Sequence, residues 1–108
     1  MAPVSLGTVE GHAERPDQRR RWRRRPGTAW RRTLSGLVVL GPGRSEPVAV
    51  TGSVGELWAL LERPRTVDEL VTTLSSQYEV APARLEQDVA ELLHRLDEAG
   101  VLDTLPPG

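Results

Sequence analysis

The spacing of apolar residues changes period near Gly52. Before it they fall in short runs divided by turn residues, and after it they recur every three or four positions. Ala29–Thr33 alternates around Trp30, and Leu34-Ser35-Gly36 supplies a turn. Leu37-Val38-Val39-Leu40 is a β-branched apolar run, and Gly41 to Ser45 breaks it. Pro47-Val48-Ala49-Val50 predicts a third strand. Such short links predict an antiparallel meander. Proline has no N–H for a ladder, so Pro47 places the third strand at a sheet edge.

Three amphipathic helices are predicted downstream. Ser53-Val54-Gly55-Glu56 has the form of a capping box, and Val54, Leu57, Trp58 and Leu61 then share one face. Pro64 stops that helix. Thr66-Val67-Asp68-Glu69 repeats the capping form, followed by Val67, Leu70, Val71 and Leu74, with Tyr78 and Val80 closing the unit. Pro82 suits the first position of a third helix, whose stripe is Leu85, Val89, Leu92 and Leu96, broadened by Leu93. Gly100 suits a left-handed cap, and Val101 and Leu102 return to cover the core. The expected fold class is therefore α+β, winged helix-turn-helix-like, with a three-stranded antiparallel sheet followed by three helices. Residues 28–103 form the expected domain. Residues 1–27 are expected as a disordered Arg-rich tail without periodicity, and 104–108 as a frayed end.

Composition removes several function classes. Among 108 residues there is no Cys, and all 14 basic residues are Arg. Disulfides, thiolate nucleophiles, cysteine-ligated metals, Schiff-base lysines and P-loop lysines are thereby excluded. His12 and His94 lack a partner at metal-ligand spacing, and GxSxG, HExxH and GxGxxG are absent. No apolar run reaches the ~20 residues of a membrane span, and no signal-peptide core precedes Arg15 and Pro16. The expectation is a cytoplasmic binding protein, not an enzyme, with no cofactor, no metal and no membrane partner. Abundant Arg, Ala, Gly, Pro and Val without Lys or Phe suggests a GC-rich bacterial genome.

Charge divides the chain. Residues 1–45 hold ten Arg against Glu10, Glu14 and Asp17, whereas residues 46–108 hold four Arg against twelve acids. The third helix carries Arg84 and Arg95 against Glu86, Asp88, Glu91, Asp97 and Glu98, and the second carries Asp68 and Glu69 alone. A DNA reader needs cations on its helices, so a duplex would be repelled. The alternative is a winged-helix nucleic-acid binder acting through the basic N-terminal tail, with Trp22 and Trp30 stacking on bases. That tail also reads as a solubilising segment, or as a dock for an acidic leader or enzyme.

From Val50 to Leu102 the sequence resembles the PqqD-type proteins, the peptide-binding RiPP recognition elements. The residues carrying the resemblance are Gly52, Leu57-Trp58, Leu60-Leu61, Thr66-Val67-Asp68-Glu69-Leu70, Leu74, Tyr78, Asp88-Val89, Leu92-Leu93, Leu96 and Gly100-Val101-Leu102. Leu37–Leu40 and Val48–Val50 sit where the family has its second and third strands. The resemblance implies binding of a precursor's leader peptide as an added strand, in a groove walled by the third helix. The peptide would pass to a modifying enzyme such as a radical-SAM protein or a peptidase. Val48, Ala49 and Val50 would form the edge, and strand alternation lets either the two valines or Ala49 touch the groove wall. Leu85, Val89 and Leu92 would floor the groove in part, with Arg84, Asp88 and Arg95 flanking it. A bland reading stands beside each: the leucine stripe and Trp58 as core, Asp88 and His94 as solvated helix residues. An interaction domain pairing through its own edge, as a monomer or weak dimer, is a further expectation.

Overall fold

The computed structural model describes residues 19–106. Three strands form the expected meander: β2 (Ala29–Thr33), β3 (Gly36–Leu40) and β4 (Val48–Thr51), in the order β2-β3-β4. Three helices follow: α1 (Val54–Leu60), α2 (Val67–Tyr78) and α3 (Pro82–Glu98). One face of the sheet lies on the helices through Leu37, Val39 and Val50, which pack into a single core with Val54, Leu57, Trp58, Leu61, Leu70, Leu74, Val89, Leu93 and Leu96. Strand pairing sets which residues share that face. Trp30 pairs with Val39, Arg32 with Leu37, and Leu37 with Val50.

Helix termini follow local chemistry in two of three places. Thr66 Oγ1 accepts from the Glu69 N–H at 3.1 Å, while Glu69 Oε1 accepts from the Thr66 N–H at 2.9 Å. This is a complete capping box, and it satisfies two otherwise orphan donors. Pro82 opens α3 as its first residue. Gly100, at φ 80°, ends it by donating to the Asp97 carbonyl while Val101 donates to Leu96, the paired bonds of a Schellman turn. The expected capping box at Ser53 does not form. Ser53 has φ −79° and ψ 24° rather than extended geometry, so its side chain makes no cap hydrogen bond.

The largest departure concerns the ends of the chain. Residues 19–27, assigned to a disordered tail on sequence, are built into the domain. β1 (Arg21–Arg24) pairs antiparallel with β5 (Leu102–Leu105), with Arg21 opposite Leu105 and Arg24 opposite Leu102. Thr104 and Leu105 therefore belong to a strand and not to a frayed end. Residues 1–18 and 107–108 lie outside the described residues.

The arginines explain why so polar a segment is ordered. Arg24 Nε and Nη2 donate to the Trp58 carbonyl at 2.9 and 2.7 Å, and Arg65 Nε donates to the Leu60 carbonyl at 3.1 Å. Helix α1 has no basic residue in its last turn, so these guanidiniums bring positive charge to its carbonyl end from elsewhere. Arg24 also lies over two indoles, 4.9 Å from the Trp30 ring centre and 5.0 Å from that of Trp58. Desolvation pulls its pKa below the ordinary arginine value, opposed by Glu62. Arg25 binds Asp103 at 2.8 Å and the Gly100 and Leu102 carbonyls at 3.1 Å each, closing β1 onto the end of α3.

Trp22 exchanges two backbone hydrogen bonds with Arg65 at 2.7 and 2.9 Å, which ties β1 to the α1–α2 loop. Trp30 packs edge-on to Trp58 with ring centres 6.0 Å apart. If β1 is structural, Arg24→Ala should lower stability in urea titration by about 1.5–3 kcal/mol, the usual cost of losing bonds from a charged donor. A change within about 0.5 kcal/mol, as for ordinary surface positions, would contradict that role.

Candidate functional site

A three-stranded sheet has two edges, and here they differ in chemistry. The β2 edge carries Arg31 and Arg32, and charges on an edge strand deter pairing with another chain. The β4 edge, Val48-Ala49-Val50-Thr51, is uncharged along its length. It is the edge open to an added strand.

Pairing fixes which backbone groups of β4 face outward. Gly52 N–H donates to the Ser35 carbonyl at 3.0 Å, so that pair is hydrogen-bonded. Antiparallel alternation then makes Leu37–Val50 and Val39–Val48 the bonded pairs, and Gly36–Thr51 and Val38–Ala49 the open ones. Ala49 and Thr51 consequently direct their N–H and C=O groups away from β3, toward the free edge. Gly36 permits this close approach, since a Cβ there would strike the Val50 carbonyl oxygen.

Beside the C-terminal end of β4 lies a groove of about 550 Å³. Thr51, Gly52 and Ser53 form its strand side, and Leu74 and Tyr78 of α2, with Val80 just beyond it, close it. The α3 wall is built on helical spacing: Leu85, Val89 and Leu92 supply the apolar floor, while Arg84, Asp88, Glu91 and Arg95 line the rim. Val89 is fully buried, whereas Leu85 and Leu92 are only partly so. The stripe therefore divides, with Val89, Leu93 and Leu96 serving the core and Leu85 and Leu92 opening onto the groove. On the rim, Arg95 Nη2 pairs with Glu91 Oε2 at 3.3 Å.

Tyr78, at the groove mouth, ionises above the ordinary tyrosine range. Desolvation is the first cause and the neighbouring Glu56 carboxylate the second, with Arg32 opposing. Arg32 in turn pairs with Glu56 at 3.3 Å.

The structure brings six of the sequence-predicted site residues together, namely Arg84, Leu85, Asp88, Val89, Leu92 and Arg95. Val48, Ala49 and Val50 do not line the groove itself. Val50 is 2% exposed and points into the core, Val48 shares its face at the sheet margin, and Ala49 turns its side chain to the opposite face. Their contribution is the backbone edge that leads into the groove. Sequence reasoning missed Thr51, Gly52, Ser53, Glu91 and the α2 contributors. Tyr78 and Val80 carried a signal, since they end an amphipathic unit beside the helix that forms the wall. His94 sits on the outer side of α3, 3.3 Å from Glu98. Among the described residues no cluster of three or more His, Asp or Glu side chains could hold a metal, and no helix is long and apolar enough to cross a membrane.

The fold and the site define a small winged-helix-like α+β domain, with one uncharged open sheet edge running into a helix-walled groove. The chain belongs to the PqqD family: the family model described as "Coenzyme PQQ synthesis protein D (PqqD)" matches residues 36–102, more than half of the chain. Among solved structures it is similar to the PqqD truncation of Methylobacterium extorquens PqqCD, a stand-alone RiPP recognition element. That match has 24% identity and a TM-score of 0.62, and covers 77% of this chain and 88% of that one. It is also similar to a structure described as "Lasso peptide synthetase B1 complexed with the leader peptide", at 27% identity and a TM-score of 0.61, covering 79% of this chain and 98% of that one. No relative is found among curated proteins. β1 and β2 precede the segment matched by the family model.

The edge assignment has a direct check in amide hydrogen exchange. Val50 N–H should be protected, while Ala49 and Thr51 on either side exchange as open amides. Uniform protection across Val48–Thr51 would mean that the edge is already covered.

Proposed function

We propose that this protein binds the leader region of a ribosomally synthesised precursor peptide by β-strand addition to β4 and presents it to a separate modifying enzyme. The observation that carries this reading is the contrast between the two sheet edges. The uncharged edge, and not the arginine-bearing one, adjoins an apolar groove. Family membership and the similarity to a synthetase subunit structure containing a leader peptide support the same reading.

In this mechanism the backbone supplies affinity and the groove supplies choice. Ala49 and Thr51 offer two N–H donors and two C=O acceptors to an incoming strand. Each bond contributes about 0.5–1.5 kcal/mol, and ordering a flexible peptide costs about 2–5 kcal/mol. Backbone pairing alone is thus roughly balanced, and net affinity depends on an apolar side chain entering the space over Leu85 and Leu92. A peptide without such an anchor would bind poorly, and one with it would still dissociate fast enough to be handed on. The receiving enzyme would be of the radical-SAM, peptidase or another peptide-modifying type. No step of this cycle requires a catalytic group, a cofactor or a membrane on this chain, and we place the protein in the cytoplasm.

The nucleic-acid alternative loses part of its basis in the structure. Arg24, Arg25 and Trp22 are hydrogen-bonded into the domain, and Trp30, although exposed, has Arg24 over its ring, so they are not a free basic and aromatic comb.

The reading is tested with Ala49→Pro. Because the Ala49 N–H faces away from β3, proline there removes a donor from the free edge without breaking the β3–β4 ladder. The variant should keep its melting temperature and bind a fluorescent leader peptide about tenfold more weakly. Unchanged affinity with an intact fold would count against strand addition.

A further inference from the structure

Resting on the leader-binding reading, the charges around the groove point to the class of peptide it takes. Four charged side chains stand on the α3 rim. Glu91 and Arg95 satisfy one another across a helical turn. Arg84 and Asp88 have the same four-residue spacing, yet among the described residues neither makes an ion pair. Both line the groove and both are exposed. One cation and one anion therefore remain available to a ligand, one turn apart, above the floor of Leu85 and Leu92.

We propose that the groove selects a leader segment with a large aliphatic anchor and an oppositely charged pair at strand positions i and i+2, the acid facing Arg84 and the base facing Asp88. The spacing follows from the two geometries. Four residues of helix rise about 6 Å. Two residues of strand advance about 6.8 Å and return the side chain to the same face. A peptide strand lying along α3 thus matches the Arg84–Asp88 interval with alternate residues. A pair in the reverse order meets two like charges, and a neutral pair meets neither. Because the rim is open to solvent, the gain is modest and sensitive to salt, so it serves selection among peptides and not bulk affinity.

The test uses short synthetic strand-forming peptides that share one leucine anchor and differ only in the pair: Glu-x-Lys, Lys-x-Glu or Gln-x-Gln. Each is titrated against the full chain and against the double variant Arg84→Glu/Asp88→Arg, at low and high salt, by fluorescence anisotropy for affinity and by NMR amide shifts of the isotope-labelled protein for the binding place. Melting curves check that the exposed swap leaves the fold intact. One charged order should bind about tenfold more tightly than the other, with the neutral peptide between them. The preference should invert in the double variant and fade in high salt. Equal binding of all three peptides to both proteins, with shifts at the Ala49 and Thr51 amides, overturns the charge selection and leaves leader binding standing. Failure of any peptide to move those amides overturns leader binding, and this inference with it.

Discussion

Everything at the groove depends on the register of β4. Val50 is held in the core opposite Leu37, and this sets the parity of a four-residue strand. A slip by one residue would place Ala49 in the core, expose Val50, and turn the outward N–H and C=O groups toward β3. Burying one valine thus decides both which side chain packs and which backbone groups stay open. The strand is short, so register is reinforced at its end by the Gly52–Ser35 bond and by the close approach that Gly36 permits. Helix α1 begins three residues after β4, at Val54, so the same register positions the helix layer under the sheet.

Much of this architecture was legible because it rests on local rules. Thr66 with Glu69, Pro82 and Gly100 each marked a helix end by its own chemistry, and the apolar spacing marked the buried faces. β1 was not legible for the opposite reason. Its sequence, Arg21-Trp22-Arg23-Arg24, has no apolar alternation, and its partner Leu102–Leu105 lies at the far end of the chain. What orders it is a set of guanidinium bonds to carbonyls around Trp58, Gly100 and Leu102, which no periodicity announces. Ser53 shows the converse: its residue pattern fits a cap, but the tight passage from β4 into α1 gives its backbone another conformation. At the site, the α3 wall was readable from spacing. Thr51, Gly52 and Ser53 were not, since a strand-to-helix junction has no pattern of its own.

The charge asymmetry of the chain also acquires a structural meaning. Arginines from the first third are not only a surface: Arg24, joined by Arg65, serves the carbonyl end of α1, which has no cation in its own last turn, and Arg25 binds the Gly100 carbonyl just beyond α3. Two acids of α3, Asp88 and Glu91, stand on the rim of a peptide-sized groove instead of facing a duplex. A winged-helix shape with its helix charges reversed is thereby suited to a strand, whose backbone presents no phosphates.

The most direct measurement is of hydrogen bonds between β4 and a bound leader peptide, by scalar couplings across the bonds between isotope-labelled protein and peptide. Strand addition predicts couplings from the Ala49 and Thr51 N–H groups to peptide carbonyls, with none at the β2 edge. A saturating peptide that contacts α3 alone, or that pairs along Trp30 and Arg32, would contradict it.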